Sequence, residues 1–229
     1  MNLNHHYVEQ GAGFPLLLLH GNGEDCSYFA HQLFRFSEHY HVYAIDTRGH
    51  GKTERGTAPF TIRQFAEDLL SFMNTHEIEK ANVLGFSDGA NIAMIFAMKY
   101  PNRVNKLVLN GGNLNPDGMK RSVQIPIEIG YRIAQFFARF QEKAKAKADL
   151  LALMVEDPNI APEELAGIKA PTLVIAGNRD MVKEEHTRLI AKSIPGAELQ
   201  FLDGDHFVAS NNPNAYNDAV AAFLSKNPQ

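Results

Sequence analysis

The run Pro15-Leu16-Leu17-Leu18-Leu19 is apolar at every position rather than at every second one. A strand that alternates apolar and polar residues buries one face, whereas one that is apolar throughout must be covered on both. With small interruptions the same holds for Val42-Tyr43-Ala44-Ile45, Asn82-Val83-Leu84-Gly85-Phe86 and Lys106-Leu107-Val108-Leu109. Thr172-Leu173-Val174-Ile175-Ala176 and Leu199-Gln200-Phe201-Leu202 complete the set. Segments with apolar residues three and four apart lie between these runs, as at Tyr28, Phe29, Leu33 and Phe36, and at Ile62, Phe65, Leu69 and Phe72. Ile92, Ile95 and Phe96 follow the third run, Leu189 and Ile190 the fifth, and Val220, Phe223 and Leu224 close the chain. Strand–helix alternation of this kind predicts parallel pairing through right-handed crossovers. The fold class read from it is α/β, a mostly parallel sheet with helices on both faces.

One interval breaks the rhythm. From Gly111 to Pro171 no strand pattern occurs, and a structureless loop of that length is disfavoured in a compact domain. Helical spacing is present instead at Ile129, Ile133, Phe136, Phe137 and Phe140, then at Leu150, Leu151 and Met154. The reading is a core made of residues 1–111 and 170–229, with residues 112–169 inserted as a small helical lid over the edge of the sheet. Lys143-Ala144-Lys145-Ala146-Lys147 within the insertion reads as a solvated helix face.

Several function classes fall away on composition. The net charge is −4, with 22 basic against 26 acidic side chains, and a nucleic-acid binder ordinarily shows a basic excess. A single cysteine, Cys26, forms no internal disulfide and fits a reducing compartment. Met1-Asn2-Leu3-Asn4-His5-His6 lacks the basic and apolar regions of a signal peptide. Phe14–Leu19, the longest apolar stretch nearby, is far short of the roughly 20 residues of a membrane span. A cytoplasmic protein with no membrane or nucleic-acid partner is expected. His5-His6 and His39-x-His41 show no carboxylate or thiolate companions at ligand spacing, so no metal is expected. No G-x-G-x-x-G opens a helix after a strand, so no cofactor is indicated.

The chemistry centres on Gly85-Phe86-Ser87-Asp88-Gly89, which follows a predicted strand and opens a predicted helix. In that setting G-x-S-x-G is a nucleophile elbow, a turn too tight for side chains at either glycine. Ser87 as a simple helix N-cap is the competing reading. A serine hydroxyl needs a base, and His206, in Gly204-Asp205-His206-Phe207, comes directly after the last strand. Asp180, in Gly177-Asn178-Arg179-Asp180, follows the fifth strand and is the candidate to orient that imidazole. Asp203 and Asp205 are nearer in sequence, but chain neighbours seldom reach an imidazole in the right geometry. Asp180 as a helix cap and His206 as a wet loop histidine are the plainer alternatives. All three candidates fall after strand C-termini, where open α/β sheets bind ligands. An oxyanion formed at Ser87 needs fixed donors; the main-chain N–H of Asp88 supplies one and that of Asn22, in His20-Gly21-Asn22-Gly23, the other. His20 is read as a brace for that loop.

Together with Leu19-His20-Gly21-Asn22 and Asp46-Thr47-Arg48-Gly49-His50-Gly51, these motifs make the chain resemble the α/β-hydrolase superfamily over nearly its full length. The resemblance implies a cofactor-independent serine hydrolase with Ser87, Asp180 and His206 as triad, Asn22 and Asp88 as oxyanion hole, and a small-molecule ester as substrate. It also implies a structural role for the Asp46–Gly51 turn, with Arg48 tying loops together. Ala90 departs from the glycine that often follows the elbow. Asp88 resembles the branch that cleaves esters of α-amino acids; the plainer reading is an acid favoured at a helix N-terminus. Amino-ester or aminopeptidase activity, carbon–carbon bond hydrolysis and a ligand-sensing receptor all use similar parts. The lid and the N-terminal strands look short, and nothing in the sequence sets an oligomeric state.

Overall fold

The structure, a computed structural model, describes residues 3–226. Met1, Asn2 and residues 227–229 lie outside the described residues, and with them the first residues read for a targeting signal and the outer ends of the two core segments.

Seven strands form one sheet: β1 (Tyr7–Gln10), β2 (Phe14–Leu19), β3 (Tyr40–Ile45), β4 (Ala81–Phe86), β5 (Val104–Asn110), β6 (Thr172–Gly177) and β7 (Glu198–Leu202). Their order is β1-β3-β2-β4-β5-β6-β7. β1 pairs antiparallel with β3, while every other pairing is parallel, Leu16 facing Val42 on one side and Asn82 on the other. Successive side chains of a strand point to opposite faces. Leu17 and Leu19 therefore join one core with α2 (Ile62–Thr75), α3 (Asp88–Lys99) and α6 (Glu184–Ser193). Leu16 and Leu18 join a second core with α1 (Ala30–Phe36) and α7 (Pro213–Leu224), where Phe29, Tyr216 and Val220 are fully enclosed. The all-apolar run at Pro15–Leu19 thus has the covering on both faces that its composition demands.

Parallel strands present their C-terminal ends at one rim. Asn22 follows β2, Ser87 follows β4, Asp180 follows β6 and His206 follows β7. The turn after β3 is anchored to α2 by a buried two-pronged pair in which Arg48 Nε and Nη2 donate to Asp68 at 2.7 and 2.6 Å. A planar guanidinium fork suits a carboxylate in this way. The sequence led one to expect Arg48 to tie loops together; it ties its own turn to a helix instead, and Nη1 donates to the Arg55 carbonyl of the same connection at 2.8 Å.

Between β5 and β6 two helices, α4 (Arg121–Ala138) and α5 (Glu142–Val155), fold back on each other. Tyr131 and Ala134 of α4 pack on Ala148 of α5 in a small core of their own. The apolar positions that betrayed α4 in the sequence do not point inward. Ile129, Ile133, Phe136, Phe137 and Phe140, and with them Ile125, which the spacing did not mark, are between 43% and 75% exposed. The narrow face used against α5 carries Gln124, Tyr131 and Ala134 instead, a pattern that apolar spacing alone does not reveal. Among the described residues no helix is long and apolar enough to cross a membrane.

Candidate active site

Ser87 sits where β4 ends and α3 begins, at φ 53° and ψ −118°. A non-glycine residue at positive φ is strained, and such strain persists only where surrounding structure enforces it. The enforcement is steric. A Cβ at Gly85 would lie 2.2 Å from the Gly89 carbonyl oxygen, and one at Gly89 would lie 2.0 Å from that of Leu19. Strand and helix therefore approach with no room for side chains at either position. Ser87 occupies the N-cap position of α3, yet its side chain makes no capping bond. Its Oγ lies 3.0 Å from His206 Nε2 instead.

His206 Nδ1 lies 2.7 Å from Asp180 Oδ1. A carboxylate accepts only, so Nδ1 carries the proton, and Nε2 is left to accept from the serine hydroxyl. Both His206 and Asp180 are 4% exposed. Asp180 Oδ1 also accepts the Val182 N–H at 2.9 Å, which fixes the turn leading to α6, while Oδ2 is buried without a partner. Asp180 is further held from α4's side, where Lys120 donates to its carbonyl. Neither nearer acid competes: Asp203 pairs with Arg179, and Asp205 accepts from the Phe207 N–H and Asn211.

The Asn22 loop crosses close by, a Cβ at Gly21 falling 3.1 Å from Ser87 Cβ. Among the described residues neither the Asn22 nor the Asp88 main-chain N–H has an acceptor. His20 braces the loop as expected: Nδ1–H donates to the Gly21 carbonyl at 2.8 Å and Nε2 accepts the Thr47 N–H at 3.0 Å. Burial holds its pKa below the usual value, consistent with a neutral ring that has spent both nitrogens. Glu24, which the sequence did not flag, accepts the Gly21 N–H at 3.1 Å, and burial pushes its carboxyl up. Its position three residues after Gly21 was the one available signal.

Asp88 is buried and, among the described residues, forms no ion pair. Asn22 Nδ2 donates to it at 2.9 Å and Asn91 Nδ2 reaches its other oxygen at 3.4 Å. Burial pushes its carboxyl up to about 6, with the Asn22 amide opposing. The same Asn22 amide donates to the Leu150 carbonyl of α5 at 2.9 Å. Asn91, one helical turn after Asp88, also bonds Asn113, a network the motif reading missed. A depression of about 430 Å³ lies beside Asp180, between Lys120, Lys183 and Phe201, and does not include Ser87.

Two of the histidines that show no carboxylate or thiolate companion in the sequence have companions brought from afar. His41 Nε2 lies 2.8 Å from Glu9, and His6 forms a group with Cys26 and Asp46 whose donor atoms all lie within 4.8 Å. Sequence spacing hid these because the partners are distant in the chain: Glu9 and His41 sit on β1 and β3, and His6, Cys26 and Asp46 on three separate segments outside the strands. The Asp46 carboxylate already accepts from the Cys26 and Lys52 N–H groups and His6 Nδ1, at 2.7, 2.9 and 2.8 Å. Burial, reinforced by Asp46, pushes the Cys26 thiol up to about 12, far from a reactive thiolate.

A family model described as alpha/beta hydrolase fold matches residues 15–151. The chain is 25% identical to the (E)-2-((N-methylformamido)methylene)succinate hydrolase of Acinetobacter baylyi, over 99% of this chain and 96% of the relative. It is 30% identical to a 2-hydroxy-6-oxononadienedioate/2-hydroxy-6-oxononatrienedioate hydrolase of Paraburkholderia phymatum, over 88% of this chain and 68% of that one. Among solved structures, the enol-lactonase from Burkholderia xenovorans superimposes with a TM-score of 0.83 at 25% identity, covering 98% of this chain and 97% of its own.

Proposed function

The chain belongs to the α/β-hydrolase family, and from that premise we propose that it is a serine hydrolase cleaving small carboxylic esters through an acyl-serine intermediate. The observation that carries the reading is the hydrogen-bonded line from Ser87 Oγ through His206 to Asp180, at 3.0 and 2.7 Å, beginning at a strained residue. Ser87 Oγ attacks the ester carbonyl while His206 Nε2 takes its proton. The carbonyl oxygen becomes an oxyanion held by the Asn22 and Asp88 N–H groups. Asp180 fixes the imidazole and stabilises the imidazolium. Collapse expels the alkoxide, which receives the proton from His206 and departs as alcohol. Water, deprotonated by His206, then attacks the acyl-serine, releasing the acid and restoring Ser87. Esters are favoured over amides because an alkoxide leaves more readily than an amide nitrogen. The enzyme is assigned no cofactor; its partner is the small-molecule substrate.

Replacing Ser87 with alanine removes the nucleophile and leaves only binding and oxyanion stabilisation. Hydrolysis of p-nitrophenyl acetate should fall by about 10³-fold or more, and labelling by a fluorophosphonate should vanish. Turnover by Ser87→Ala at the wild-type rate overturns the assignment. Carbon–carbon bond hydrolysis is the second reading, favoured by the name of the Paraburkholderia phymatum relative. A panel of esters beside a vinylogous diketone distinguishes the two.

A further inference from the structure

We propose that the outward face of α4 is a docking surface for an anionic lipid bilayer. Ile125, Ile129, Ile133, Phe136 and Phe137 form an exposed apolar stripe along α4, on the side away from the residues that meet α5, and exposed Phe140 follows in the turn after the helix. A contiguous apolar patch left open and rimmed by polar residues is a feature that interaction sites share. Charge identifies the occupant. Arg132 and Arg139 follow Ile129 and Phe136 by three residues, which places them beside the stripe on the helix surface. Arg121, Lys143, Lys145 and Lys147 are also exposed, and among the described residues none of the six takes part in an ion pair. Against them stand Glu128 and Glu142, so residues 121–147 carry a formal charge of +4 within a chain whose total is −4. Apolar phenylalanines and isoleucines flanked by arginine, with exposed lysines on the next helix, match the make-up of a helix lying in a membrane interface.

A second copy fits the face poorly. A stripe the length of the 18-residue α4 measures about 27 Å by roughly 10 Å, on the order of 270 Å², against roughly 800 Å² per partner in a stable complex. Two-fold pairing would also set +4 against +4. The expectation of no membrane contact rested on the lack of a spanning segment, and a helix lying in the surface needs none. The proposal stands apart from the reading of Ser87.

The full chain is spun with vesicles of phosphatidylcholine alone and of phosphatidylcholine with roughly one third phosphatidylglycerol. Partition to the anionic vesicles should exceed that to neutral ones by about tenfold or more, and should weaken as salt is raised. Ile129→Ser with Phe136→Ser, and separately Arg132→Glu with Arg139→Glu, should each reduce it by about tenfold at unchanged far-UV ellipticity. Equal partition to both vesicles, partition to neither, or full retention by either double variant overturns the proposal. So does a concentration-dependent dimer in sedimentation velocity that the serine variant dissolves, which would make a second copy the occupant.

Discussion

Ser87 is held at positive φ by glycines on both sides, and the residue next to it carries a different burden. Asp88 is a buried carboxylate served by amide donors and, among the described residues, in no ion pair. Its folded-state pKa lies at about 6, above the ordinary value of 3.8, chiefly through burial. A raised carboxyl pKa means that the folded state binds the proton more tightly than the unfolded one. Stability contributed by this group is therefore greatest at low pH and is lost as pH rises from about 4 to about 6. The loss is on the order of 3 kcal/mol. Asp88→Asn, which keeps the shape and removes the charge, should gain thermal stability over the wild type as pH crosses that window. Melting curves at pH 4, 5, 6 and 7 read this directly, and a difference between the two proteins that does not change with pH would contradict it.

At the scale of elements, the Arg48–Asp68 pair joins the turn after β3 to α2. Asp68→Ala leaves a buried guanidinium without its counter-charge and should cost about 3–5 kcal/mol, seen as a lowered urea midpoint. Asp68→Asn, retaining an acceptor, should cost less. The elements themselves were legible to different degrees. β2 to β6 were visible because burial on both faces writes itself as largely apolar sequence, and β7 showed through Leu199, Phe201 and Leu202 although it is only partly buried. β1, Tyr-Val-Glu-Gln, is an exposed edge strand with three of four residues open to solvent, so no such run marks it. The helix α4 was legible and its orientation was not, since apolar periodicity shows that a face exists without showing what it meets. The line from Ser87 to Asp180 could be read because its parts follow strand ends in a fixed order. Glu24, Asn91 and the bond from Asn22 to Leu150 depend on loops meeting in space, and no local pattern announces them.

For the molecule as a whole, what matters is where on the sheet each reacting group hangs. β4, which delivers Ser87, is the central strand, with three strands on either side. β7, which delivers His206, is an edge strand paired with β6 alone and partly open to solvent. Edges open locally at lower free energy than centres do. Ester turnover should therefore be lost ahead of far-UV ellipticity during urea titration, by roughly 0.5 M for about 1 kcal/mol between local and global opening. Coincident midpoints would mean that β7 opens only with the entire sheet. The working lifetime of the protein is then decided at its margin. Stitching the last strand down would prolong service in heat or denaturant, whereas hardening the already rigid centre would add little.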